Sequence, residues 1–333
     1  MDVRRNEVID ISKGIGIILM IMGHVGLGSF FDHWIHAFHM PMFFIISGFL
    51  YKDRIFTKKF FIKRIRQLLV PYIIVGCFHY FIWFILHVQE DIDLVEPLVN
   101  LFWTNTNYNM PIAGAIWFLT AFFVSNILFS IFMTYLNRYA GKVCLGIAFF
   151  TCILNSCIKI RLPWAIDSGL VGCGLMYIGY ICKKISDTKK INILRENIAY
   201  SILAFFLFSF GAFINGYVNM REGKYSVIWL FWINAVGLTI SINLVCEYII
   251  KHRKEKLYTK VLRYIGKNSI SFLCFNQLVI FFLKKIEMLF WKTNANLIIM
   301  LGEKVIITSV AIILLFGINE LIFKTKLRVI FGR

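Results

Sequence analysis

Lys13 and His24, both inside the first apolar run DISKGIGIILMIMGH, are the side chains best placed by type and spacing to do chemistry. Eleven residues of α-helix make three turns plus about 20°, so the two project from one face, roughly 16 Å apart along the axis at 1.5 Å per residue. Ionisable groups cost free energy in hydrocarbon and normally face a cavity or a partner, which makes the pair a candidate site. A neutral imidazole can take the proton of a hydroxyl and pass it on, as acyl transfer to an alcohol asks of a general base. Lys13, close behind Asp10 at the start of the run, suits a phosphate-bearing donor. Gly14, Gly16 and Gly23 admit a neighbouring helix or ligand close to the backbone. The plainer reading, with Lys13 snorkelling to the interface and His24 hydrogen-bonded in the core, stands beside the functional one. The shared face favours function.

The next segment, HWIHAFHMPMFFIISGFLY, brings His33, His36 and His39 at intervals of three. That interval can put two of them on one helix face. However, Pro41 sets a helix start here and Asp32 is the one carboxylate at hand, so no metal site is read. His39, just ahead of the proline-initiated helix, is the one expected to reach a cavity near His24. Further on, KDRIFTKKFFIKRIR gathers Lys63, Arg64 and Arg66 immediately before LLVPY. These cations serve either topology and anionic head groups, or the phosphates of a nucleotide-like donor, whose oxygens match the arginine fork. Ser47 has no identifiable base and orienting acid beside it and reads as a packing residue. Glu247 and Glu320 fall near span ends, where snorkelling or pairing with loop lysines and arginines accounts for them.

The elements that position these groups follow from composition. Of 333 residues, 59% are hydrophobic, 17% aromatic and 16% charged, against roughly a quarter charged and under half apolar in a soluble domain. The chain is therefore read as an all-α integral membrane protein, and a soluble enzyme is excluded. Apolar stretches of about 20 residues occur near 10–28, 35–51, 67–88, 112–134, 142–158, 164–182, 197–215, 226–250, 269–291 and 297–323. They predict about ten transmembrane helices. Between these spans, 27 basic residues fall on the side of the N-terminus and seven on the other, so both termini are predicted cytoplasmic. The 88–111 loop of the sparse side carries Glu90, Asp91, Asp93 and Glu96 and no lysine or arginine. The net charge of +18 thus belongs to loops beside anionic lipid. No nucleic-acid partner is expected, because the polar segments hold no basic and aromatic binding module. Eight cysteines lie nearly all in apolar runs without a CxxC pair and read as small core residues. No linker or fixed-period repeat divides the chain, which predicts one membrane domain over 5–325 and a short basic cytoplasmic tail over 326–333.

Five blocks in order, DISKGIGIILMIMGH, HMPMFFIISGFLY, FIKRIRQLLVPY, IWFL at Ile116 to Leu119, and RYIGKNSISFLCFNQ from Arg263 to Gln277, resemble the acyltransferase-3 family of integral membrane acetyltransferases. The likeness is to its fucose 4-O-acetylase-like branch and covers nearly the whole chain. It implies a ten-helix protein that takes an acetyl group from cytoplasmic acetyl-CoA and delivers it to a sugar hydroxyl of a surface or exported glycan. It maps the family's basic residue, and the catalytic histidine eleven positions later, onto Lys13 and His24. The paired basic residues at the family's third helix start map onto Lys63 and Arg66, or onto Arg64 in a register one residue away. There are two departures. Lys13 keeps the charge but not the fork of the family's more usual arginine, and Asn276 stands where many members have histidine, which leaves more of the case to His24. The chain is expected to be of the stand-alone type, without an esterase-like domain after the last span.

The expectation is thus a multi-pass O-acyltransferase of the cell membrane, with His24 as general base or acyl relay. Lys13, Lys63, Arg64 and Arg66 would hold the phosphates of acetyl-CoA, and Asp10, His39, Trp117 and Asn276 would border the substrate cavity, with no metal. The partners expected are a carbohydrate acceptor, as a surface glycan or lipid-linked oligosaccharide, and membrane lipid; homo-oligomerisation is left open. A rival from another class is a transporter or flippase of a glycan or lipid-linked sugar, with Lys13 and His24 as substrate or proton-relay groups. The two related halves common in transporters are not found in this sequence.

Overall fold

In hydrocarbon a backbone must satisfy its own hydrogen bonds, and a helix does so within one segment. The computed structural model describes residues 3–53, 55–106, 114–158, 161–186, 198–252, 256–290 and 297–332, with backbone alone for 3–6, 289–290 and 297. Among these residues there is no strand, and an isolated antiparallel bridge pairs Asn219 with Lys224. In chain order the helices are α1 (Val3–Val25), α2 (Ser29–His36), α3 (His39–Phe49), α4 (Lys58–Arg64), α5 (Val70–His87), α6 (Glu96–Phe102) and α7 (Trp117–Tyr135). There follow α8 (Ala140–Ile158), α9 (Ile166–Ser186), α10 (Ile198–Asn215), α11 (Ile228–His252), α12 (Leu257–Lys267), α13 (Ser269–Phe290) and α14 (Leu297–Lys324). A π-helical turn, Ile65–Leu69, joins α4 to α5 without a break.

Nine helical stretches among the described residues are long and apolar enough to cross a membrane. They are α1, the continuous 58–87 stretch, α7, α8, α9, α10, α11, α13 and α14, and the chain is an all-α integral membrane protein. The run expected over 35–51 takes another form. It divides between the end of α2 and α3, an 11-residue helix in which every residue from His39 to Ile46 is buried. Eleven residues rise roughly 16 Å, about half of a 30 Å hydrocarbon core. Hydropathy reads the same for a lipid-facing span and a buried core helix; α3 is the latter, packed against α9, α1 and α11.

The outer helices show the opposite pattern. In α10, Leu203, Phe206, Leu207 and Phe210 are exposed, and its buried residues are Ser201, Ala212 and Asn215, as expected of a helix whose solvent is lipid. α1 sits inside, in contact with α3, α11, α12, α13 and α14, so the face that carries Lys13 and His24 is enclosed. The cysteines are all free thiols, five of them buried. Residues 326–331 of the predicted tail form a short 3₁₀ turn that packs against the π-turn and α5 and buries Phe331.

Candidate functional site

A cavity of about 340 Å³ lies beside Lys13 and Ile17 of α1. Three cations line it from separate elements: Lys13, Arg64 and Lys267. Lys13 Nζ is 2.8 Å from Asp10 Oδ1, one helical turn back. The Arg64 guanidinium lies over the Phe60 ring, 5.1 Å from its centroid, and Nη1 donates to Gln67 Oε1 at 3.3 Å. The π-turn after Arg64 widens the helix locally, a feature frequent at functional sites, and Arg64, Gln67 and Leu68 all border the cavity. Lys63 and Arg66 are exposed and are not among the lining residues.

Lys267 reaches the same space because α12 lies unusually close to α1. A Cβ on Gly266 would collide with the Asp10 carbonyl, and one on Gly14 with the Leu262 carbonyl, so hydrogen alone fits at both positions. The α12–α13 junction then contributes Asn268, Ser269 and Ser271 to the wall, α7 adds Phe118, Phe122 and Asn126, and Ser47 completes the α3 side. The apolar floor ends at Ile17 and Leu273. Met20 and Ile21 are buried beyond it, and His24 lies roughly 10 Å past Ile17 at 1.5 Å per residue.

A second polar cluster surrounds His24. Gln277 Nε2 is 3.4 Å from His24 Nδ1, Gln277 Oε1 accepts the backbone N–H of Ala115 at 2.9 Å, and Lys284 Nζ donates to the His24 carbonyl at 3.1 Å. Arg221, Lys284, His36 and Asp32 all lie within electrostatic reach of the ring. Arg221 Nε donates to the Thr106 carbonyl at 3.1 Å. On α2, His36 Nδ1 is 3.2 Å from Asp32 Oδ1, and this hydrogen bond is the main cause holding the Asp32 carboxyl below its ordinary range.

The expected site residues therefore separate. Lys13 and Arg64 meet at the cavity, with Asp10 behind Lys13, while His24 stands in the deeper cluster. His39 is buried beside that cluster, its Nδ1–H donating to the Ile35 carbonyl at 2.8 Å and its ring 5.2 Å from that of His36. Trp117 is buried but does not line the cavity; its neighbours Phe118 and Leu119 do. Asn276 is fully buried and donates to the Leu273 carbonyl at 2.5 Å, and it is the next residue, Gln277, that touches His24. Among the described residues, no group of three or more His, Cys, Asp or Glu side chains could hold a metal ion. Reasoning from sequence, which noted Gln277 as a polar group inside a span, gave no site role to Gln277, Lys267, Gln67, Arg221 or Lys284. For Gln277 a signal existed, since it lies one turn from Leu273 and two from Ser269 and Ile270 on α13.

A cavity lined by three cations, set among membrane-length helices with an imidazole deeper along the same helix, defines a polytopic membrane protein with a candidate intramembrane site. The family model described as "Acyltransferase domain" (Acyl_transf_3) matches residues 6–318, and the chain belongs to that family. It is a multi-pass membrane protein of an acyltransferase family. The chain is also similar to Nodulation protein NolL of Mesorhizobium japonicum, with 28% identity over 180 residues. That match covers 48% of this chain and 46% of the relative, so the chain spans about half the length of the curated relative it matches. No solved structure matches.

Proposed function

We propose that this acyltransferase moves an acetyl group from acetyl-CoA, bound at the Lys13 end, to a hydroxyl of a surface or exported glycan or its lipid-linked precursor, in the cell membrane. The observation that carries the reading is the division of one helix face: Lys13 borders a cationic cavity, and His24 stands three turns deeper among hydrogen-bond donors. Lys13, Arg64 and Lys267 supply charge for the CoA phosphates, and Arg64 offers the planar fork that matches phosphate oxygens. Phe118, Phe122 and Leu273 give the pantetheine arm an apolar wall leading towards His24. The excess of basic residues on the N-terminal side favours a cytoplasmic donor face.

His24 removes the proton of the acceptor hydroxyl as its oxygen attacks the thioester carbonyl. A C–O bond forms, the C–S bond breaks, and the imidazolium returns its proton to the leaving thiolate. The products are the ester and free CoA, with His24 unchanged. The test is CoA thiol release from acetyl-CoA in membranes holding equal amounts of wild type or His24→Ala, with a crude extract of host surface glycan as acceptor. A general base contributes about 10²- to 10⁴-fold, and the variant is expected to lose turnover on that scale. Equal turnover in both would overturn the assignment of His24.

A further inference from the structure

α13 grips His24 at two points. Lys284 holds its carbonyl, and Gln277, seven residues and hence about two turns earlier on the same face, meets its ring. The ring contact alone does not fix who donates, because a carboxamide can be turned over and either imidazole nitrogen can carry the proton. The contact with Ala115 removes the ambiguity. A backbone N–H can only donate, so the oxygen of the Gln277 amide faces Ala115, 2.9 Å away, and its NH₂ faces His24. An amide NH₂ also only donates. In neutral His24, Nδ1 therefore offers its lone pair and the ring proton sits on Nε2. A Ser-His-Asp site has the reverse arrangement, with a carboxylate accepting from Nδ1–H and Nε2 left basic.

We propose that Gln277 is a positioning residue that selects the Nε2–H tautomer of His24, and that Nδ1, on the α13 side of the ring, is the nitrogen that receives the acceptor's proton. The inference rests on the reading of His24 as the base. At 3.4 Å the amide contact is longer than the 2.7–3.2 Å of a firm N–H hydrogen bond, so an acceptor hydroxyl can replace it at Nδ1 while the amide stays anchored on Ala115. In that step the acceptor O–H bond breaks, an Nδ1–H bond forms, and the Nε2–H is already in place. An amide also suits the surroundings, because it orients a ring within electrostatic reach of Arg221, Lys284, His36 and Asp32 without adding a charge.

Two variants separate orientation from shape. Gln277→Leu removes both hydrogen bonds at nearly constant volume. Gln277→Glu keeps the size and can still accept from Ala115, but its second oxygen accepts from the ring, which calls for Nδ1–H and moves the lone pair to Nε2. Thiol release is measured with acetyl-CoA varied and the same glycan extract as acceptor, at matched protein level, with thermal midpoints in detergent. Both variants are expected to lose at least about tenfold in kcat, within the range of a proton-transfer contribution, with the KM for acetyl-CoA within about twofold of wild type. Wild-type kcat in Gln277→Glu, or in Gln277→Leu, overturns the assignment; if Gln277→Leu fails to insert, Gln277→Glu decides alone. His24→Ala run alongside distinguishes the two levels. An inactive His24→Ala with active Gln277 variants removes the tautomer assignment only; an active His24→Ala removes His24 as the base and the tautomer assignment with it, whereas a wild type without turnover removes the acetyl-transfer reading.

Discussion

At the cavity, the company each cation keeps sets what it can offer a phosphate. Lys13 is shared with Asp10, while Arg64 is braced by Phe60 and Gln67 and faces the cavity. A hydrogen bond to a charged group contributes about 1.5–3 kcal/mol. Arg64→Ala is therefore expected to raise the KM for acetyl-CoA by tenfold or more on the scale of about 1.4 kcal/mol per decade. Lys63→Ala and Arg66→Ala, being exposed and off the cavity, should each leave it within about twofold, near the small worth of surface charges; initial-rate kinetics on the three variants checks the contrast. Lys13 and His24 were legible in the sequence because helical period alone puts them on one face. Which of Lys63, Arg64 and Arg66 borders the cavity was not, because that is set by how α4 and the π-turn pack against α7 and by no local period. The contact of Gln277 with His24 was not legible either, since it joins residues 253 apart.

Among the elements, the approach of α12 to α1 decides whether Lys267 reaches the cavity. Gly266→Val would drive a branched side chain into the Asp10 carbonyl. Overpacking of this kind typically costs about 1–3 kcal/mol. The expected outcome is a lower thermal midpoint in detergent and a raised KM for acetyl-CoA, with kcat at saturating donor retained. The other end has its own tie. Arg161 forms an ion pair with Asp167 in the first turn of α9, and its Nη2 donates to Ser168 Oγ at 2.8 Å and to the Met220 carbonyl at 3.2 Å. The pair thereby fastens the turn that carries Arg221. Asp167 is 1% exposed, and removing one partner of a buried pair costs about 3–5 kcal/mol. Asp167→Ala is expected to lose stability on that scale in thermal or denaturant unfolding, and the double variant Asp167→Ala with Arg161→Met to recover part of it. Most membrane-length helices were readable from apolar length. The exception, α3, is a core helix, and hydropathy does not separate a helix surrounded by protein from one surrounded by lipid.

For the molecule as a whole, belonging to an acyltransferase family supports the proposed class of reaction, and the arrangement of charge along α1 suggests where each half of it takes place. Lys13 and the cavity form one station, His24 and Gln277 the other, and Ile17, Met20 and Ile21 lie between them on the same helix. The basic excess on the N-terminal side was countable in the sequence, whereas the separation of the two stations needed the tertiary structure, because the cavity floor is built from α1, α7 and α13 together. Steady-state kinetics of acetyl-CoA turnover on Lys13→Met and His24→Ala, in the same membranes at equal protein level, tests this division directly. Lys13→Met should raise the KM for acetyl-CoA about tenfold or more with kcat largely kept, and His24→Ala should lower kcat about a hundredfold or more with donor binding kept. The division fails if the two variants show the same kinetic signature, or if His24→Ala turns over as fast as the wild type.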